Sequence, residues 1–201
     1  MFYFKALHIC FLLCYNVNMD IILASASPRR KQLLGEIVEK FLVLPSNEKE
    51  DEVVGEPQEV AKQLSFIKAK SVFDNHNDCL VIGADTIVVH NDKILGKPKD
   101  KDHAVEMLND LSGNTHQVIT GVTIMTKDVS VTFADVSQVT FKHLEQQDIF
   151  DYIATGSPFD KAGGYGIQDS GFVCNITGSF NNVVGLPTEK LSKVLLQFLE
   201  D

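Results

Sequence analysis

Apolar and polar positions along the chain change period several times, and each change marks an element. A short apolar run from Asp20 to Ser25 predicts a buried strand. Ser27 and Pro28 then open a helix, with Leu33, Leu34, Ile37, Val38 and Phe41 forming a stripe at 3.6-residue spacing. FLVLPSN leads into an acidic loop, and Pro57 opens a second helix through Lys70, with Val60, Leu64 and Ile67 on one face. Leu80 to His90 is an apolar double run interrupted at Asp85, and Asn91-Asp92 turns the chain back through KIL to Gly96. A capped helix is expected from Asp100 to Leu111, with Gly113 just beyond it. Two alternating strands follow, 116–126 and 129–141, then a short helix at 145–154. The chain ends with a glycine-rich loop at 157–168, a strand at 172–177 and a helix carrying Leu191, Val194, Leu195, Phe198 and Leu199. Helices mixed with hairpins predict α/β with a long, partly antiparallel sheet, not a repeated βαβ unit.

With 201 residues, 44% of them hydrophobic, folding should bury roughly 70% of the unfolded surface without needing disulfides or a structural metal. A formal net charge of -9 argues against general nucleic-acid binding. The four cysteines show no C-x-x-C spacing, which fits a reduced, cytoplasmic protein. Residues 1–18 are apolar and aromatic with a single Lys5 and match neither a transmembrane helix nor a signal peptide. They are read as an extension upstream of a natural start at Met19, leaving 19–201 as a single domain.

Against this acidic background the run Arg29, Arg30, Lys31 is conspicuous, because a helix N-terminus already carries positive charge and favours Asp or Glu in its first turn. Free N–H groups, hydroxyls and guanidinium forks together suit a polyphosphate. A solvated basic turn is the alternative. Asp85, inside an apolar run, is the most informative acid, since an unpaired buried carboxylate is costly; the competing reading is an edge or turn Asp capping its own backbone. Lys97 between turn residues reads by itself as a solvated lysine. Glu48, Glu50, Asp51 and Glu52 form either a solvated loop or part of a magnesium site. Gly163, Gly164 and Gly166 would let backbone approach a flat ligand, but GGYG matches neither dinucleotide nor P-loop spacing. The six histidines show no i, i+4 pair, so a His-based metal site or a Ser-His nucleophile has little support.

Together LASASPRRKQLL (23–34), LPSNEKE (44–50), IKAK (67–70), GADTIV (83–88), LGKP (95–98), LSGNTHQVITGV (111–122), DKAGGYGIQ (160–168) and GSFNNVVGLP (178–187) resemble the Maf family of nucleoside triphosphate pyrophosphatases. The resemblance implies a two-lobed, ITPase-like α/β fold with helices flanking a long mixed sheet, a central cleft and often a homodimer. It also implies hydrolysis between the α and β phosphates with a divalent cation, Mg2+ or Mn2+. Carried over by position, Ser25, Arg29, Arg30, Lys68, Lys97 and Lys161 would surround the triphosphate. Glu50 and Asp85 would sit near the metal and the attacking water, with Asp85 as proton acceptor. Positions matching Arg29, Thr86 and Gln168 distinguish family members, and DKAGGYGIQ resembles the branch acting on dTTP, UTP and modified uridine triphosphates. Three departures stand out: Gln32 where many members carry Glu, SNEKE where Asp commonly follows Ser46, and Ser65 for a frequent Ala.

The leading expectation is an enzyme clearing pyrimidine nucleoside triphosphates, with free nucleotide as partner and neither nucleic acid nor membrane involved. The alternatives are a nucleotide-binding regulator of septum formation or cell division with incidental catalysis, and the 7-methyl-GTP branch. A kinase or phosphatase acting at the γ-phosphate lacks a recognisable signature.

Overall fold

A computed structural model describes residues 19–46 and 53–200. The expected extension, residues 1–18, and Glu50 lie outside the described residues. The elements are β1 (Ile21–Leu23), α1 (Pro28–Gly35), β2 (Leu42–Val43), α2 (Pro57–Phe73), β3 (Leu80–His90), β4 (Lys93–Leu95), α3 (Lys101–Leu111), β5 (Thr115–Met125), β6 (Ser130–Phe141), α4 (Gln146–Ala154), β7 (Val173–Thr177), α5 (Phe180–Val184) and α6 (Thr188–Glu200). Two 3-10 turns, Ser157–Asp160 and Ala162–Gly164, occupy the glycine-rich loop.

One seven-stranded mixed sheet runs β2-β1-β3-β5-β6-β7, with β4 paired to β3 beside that path. The pairs β1–β2 and β1–β3 are parallel; the others are antiparallel. The β3–β4 turn places Asn91 and Asp92 at φ 48° and 60°, the left-handed region that these residue types tolerate.

Helix α1 is shorter than its apolar stripe predicts. It ends at Gly35 because β2 must pair with β1 from Leu42, so the chain has only a few residues in which to reverse. Ile37 and Phe41 still pack against the core beyond the helix. Strand β3 spans the whole apolar double run and carries the interrupting Asp85 in its middle. The short α5 leaves no periodic signal in the sequence.

Both faces of the sheet are covered. Leu23, Leu34, Ile82, Val122, Leu186, Leu191 and Leu195 form one cluster beneath α1 and α6. On the opposite face α2 lies almost directly on β3 and β5. A Cβ at Gly121 would fall far inside contact of the Ala61 carbonyl, and one at Gly83 would reach Ser65 and Ala69 backbone. These two glycines seat the helix. Ser65 is fully buried there and donates to the Lys62 carbonyl at 2.7 Å, with Thr123 Oγ1 at 2.9 Å. A buried serine therefore costs little at this position.

Candidate active site

The cleft follows from strand pairing. One edge of β3 is covered by β1 at Leu80–Ile82 and by β4 at Val88–His90, while the other edge pairs with β5 along nearly its whole length. Between β1 and β4, residues 83–87 have no strand partner on that edge among the described residues. A cavity of about 1010 Å³ opens in this gap. Successive side chains of a strand face opposite sides, so Asp85 and Thr86 enter the cleft from the two faces of the sheet.

Asp85, 7% exposed, lies on the α2 side. Lys68 of α2 forms an ion pair with its Oδ1. Gly121 is the cross-strand partner of Asp85, so the residue that admits α2 also brings Lys68 within reach. Oδ2 accepts no hydrogen bond among the described residues. The structure thus places Asp85 on the uncovered stretch of β3 but away from any turn, and its side chain bonds Lys68 with no bond to its own backbone among the described residues.

On the other side stands the basic helix start. Ser27 caps α1 by accepting from Arg30 N, and Pro28 follows at the first helical position. The Arg30 guanidinium reaches several elements: Nε donates to the Gly185 carbonyl at 2.9 Å, Nη1 to Ser25 Oγ at 3.3 Å and Nη2 to Thr86 Oγ1 at 2.9 Å. It ties α1, β3 and the end of α5 together. Arg29 has no hydrogen-bonding or ionic partner among the described residues, and neither has Lys97, exposed after β4; both line the cavity.

The far wall is the glycine-rich loop. Lys161 Nζ donates to the Ser157 carbonyl at 2.7 Å, Ser157 Oγ at 2.9 Å and Asp160 Oδ1 at 2.7 Å. Its three donors are therefore already engaged. Asp169 accepts from Tyr152 OH at 3.0 Å and from Ser157 Oγ, with Lys161 Nζ 3.7 Å away. Partial burial pushes its pKa up, but the two hydroxyls and the ammonium outweigh this and hold it below the usual value. Gln168, the neighbouring residue, is exposed in the cavity. Tyr165 also lines it, and its hydroxyl lies 2.7 Å from Nε2 of the buried His116. Burial, with a smaller contribution from His90, lowers the His116 pKa to about 4, so the imidazole is neutral at pH 7.

Ser25, Arg29, Arg30, Lys68, Lys97, Lys161, Asp85, Thr86 and Gln168 all line this one cavity. Sequence reasoning missed Asp169, Tyr165 and the pair Thr120 and Asn182 behind Thr86. No local signal marks the last two: each is a polar residue in an ordinary buried position whose partner is distant in sequence. No group of three or more His, Cys, Asp or Glu residues able to hold a metal ion occurs among the described residues. None of their helices is long and apolar enough to cross a membrane.

A family model described as "Maf: Maf-like protein" matches residues 20–198. A Bacillus cereus protein named "dTTP/UTP pyrophosphatase" is 47% identical over 183 residues, covering 89% of this chain and 95% of that protein. A Bacillus cytotoxicus protein of the same name is 47% identical over 182 residues, covering 88% and 94%. Among solved structures, one titled "The structure of the Staphylococcus aureus Ham1 protein" superposes with a TM-score of 0.50 at 16% identity, covering 89% of this chain and 99% of that one. This last likeness concerns the fold.

Proposed function

The chain belongs to the Maf family, and from that premise we propose that it hydrolyses dTTP and UTP, with modified uridine triphosphates, to the nucleoside monophosphate and pyrophosphate. The observation that carries this reading is the gap in strand pairing along β3, which puts a buried carboxylate with an open oxygen beside a bank of cations. The named relatives favour neither the septation regulator nor the 7-methyl-GTP branch.

Arg29, Lys97 and Ser25 hold the triphosphate, with the amides at the start of α1 adding positive potential. Asp85 takes the proton from the attacking water as a bond forms to the α-phosphorus and the α–β anhydride bond breaks, pyrophosphate leaving. Lys68 holds Asp85 in orientation. Arg30 braces the wall, and Lys161 reaches a phosphate only by giving up one of its present partners. Gln168 pairs its amide with the base. A divalent cation fits, since magnesium is commonly held by one or two carboxylates plus substrate phosphates and Asp85 offers an open oxygen facing the cleft. Asp85 and Glu50 would hold Mg2+ or Mn2+, which would supply Lewis-acid stabilisation of phosphate charge. The proposed setting is the cytosol; size-exclusion chromatography decides between monomer and homodimer.

The test is incubation of the purified protein and magnesium with dTTP, UTP, 5-methyl-UTP, CTP, GTP and 7-methyl-GTP, with products separated by chromatography. Monophosphate and pyrophosphate from the thymidine and uridine members are expected. Diphosphate and phosphate would place the cut at the wrong bond, and turnover of 7-methyl-GTP alone would reassign the branch.

A further inference from the structure

We propose that Thr120 is a positioning residue that makes the Thr86 hydroxyl a one-way hydrogen-bond acceptor, suited to the imide N3–H of uracil and thymine. The proposal rests on the reading of the cleft as a dTTP and UTP site.

A hydroxyl has one proton and two lone pairs. Thr86 and Thr120 are directly opposite in the β3–β5 register, with their hydroxyl oxygens 3.0 Å apart. Distance alone leaves the donor undecided. Thr120, however, is fully buried and stands 2.9 Å from the Asn182 carbonyl, which can only accept. The Thr120 proton is therefore spent, and Thr86 donates its own proton to Thr120. On its other side Thr86 accepts from Arg30 Nη2, because a guanidinium only donates.

The terminus of this relay is firmly held. The Asn182 side chain donates to the Val118 carbonyl at 3.0 Å and to Ser137 Oγ at 2.9 Å, and Ser137 donates to the Ser179 carbonyl at 3.0 Å. Every proton in the chain has a fixed direction, leading away from the cleft. Thr86 thus has only acceptor capacity left for a ligand. It would repel a phosphate oxygen or the N3 lone pair of cytosine, and it would accept the N3–H shared by UTP and dTTP.

Ser25, at the other end of the same guanidinium, has the opposite polarity. It accepts from Ser27 N at 3.2 Å and Arg30 Nη1 at 3.3 Å, and no acceptor for its own proton occurs among the described residues. Its O–H is available to a phosphate oxygen. Arg30 thereby separates a donating hydroxyl from an accepting one, giving the cleft a phosphate end and a base end.

The experiment measures kcat/KM for UTP, CTP and N3-methyl-UTP with magnesium, for the full chain and its Thr120→Val and Thr120→Ser variants, with circular dichroism to confirm folding. In Thr120→Val the Thr86 proton is released, and the UTP-to-CTP ratio should fall by about tenfold, the scale of one hydrogen bond. Thr120→Ser keeps the relay and should hold the ratio within about twofold. The unaltered protein should reject N3-methyl-UTP, an arm that stands even where the valine variant fails to fold. An unchanged ratio in folded Thr120→Val, or N3-methyl-UTP used as well as UTP, overturns the proposal. Failure of the unaltered protein to release monophosphate and pyrophosphate from UTP would instead overturn the function beneath it.

Discussion

Asp85 and Asp169 both line the cleft with a lysine ammonium beside them, yet their surroundings differ in kind. Asp85 is almost fully buried and accepts one hydrogen bond among the described residues, from Lys68, on one oxygen. The Asp169 side chain is 44% exposed and takes two hydroxyl donors, Tyr152 and Ser157, with Lys161 nearby. Asp85 thus keeps one oxygen unengaged among the described residues, whereas the several donors around Asp169 stabilise its anion and reduce its basicity. Under the proposed mechanism Lys68 serves the chemistry of its carboxylate, while the contacts of Lys161 and Asp169 with Ser157 tie the loop together. Proximity of a cation to an acid does not separate the two cases; the number of donors and the depth of burial do.

The sharpest test of the contrast is Asp85→Asn, which keeps shape and removes basicity. kcat should fall by about 10² to 10⁴, the usual contribution of a positioned base, with nucleotide binding retained by calorimetry. A rate within a few-fold of the original would remove Asp85 from the proton transfer. Next comes Gly121→Ala, which leaves every polar group in place but drives a methyl into the Ala61 carbonyl. It should cost about 2 kcal/mol or more by denaturant midpoint and lower kcat by moving Lys68 away from Asp85. An unchanged midpoint would mean that α2 is not seated on this glycine. Arg29→Ala should raise KM by about tenfold with kcat nearly intact, an effect that salt weakens because the residue is partly exposed. Equal kinetics at low salt would take Arg29 out of phosphate binding.

How far the sequence reached depends on whether the cause of each feature is local. The basic helix start was legible because three cations contradict the helix dipole within a single turn. Asp85 was legible as a carboxylate in an apolar run, but its partner was not, because Lys68 lies 17 residues earlier on another element. The end of α1 was misplaced because pairing between β1 and β2 overrides the periodic stripe. Lys161 came only from the family resemblance. Thr120 and Asn182 gave no signal: their importance depends on a register that sets Thr120 opposite Thr86 and on a five-residue helix that brings Asn182 behind it.

The smallest effect expected is that of Asp169→Asn, and its pH dependence completes the contrast. Because the native pKa is lowered, the anion stabilises the fold at pH values above about 3.9, the unfolded-state value. That contribution disappears as pH falls through the native pKa. With the side chain nearly half exposed, solvent screening should limit it to less than about 1 kcal/mol, a melting difference of no more than about 4 °C at pH 7. The difference between the two proteins should then shrink on acidification toward pH 3. The parent protein also loses stability from about pH 6.5 downward, because His116 is neutral in its buried site down to about 4 while the unfolded chain takes up the proton earlier. Both proteins share that loss, so it cancels in the comparison and the remaining slope belongs to Asp169. A melting difference that widens in acid would show that Asp169 is not held as an anion by Ser157, Tyr152 and Lys161. The distinction between a structural and a reactive carboxylate would then lose its structural half.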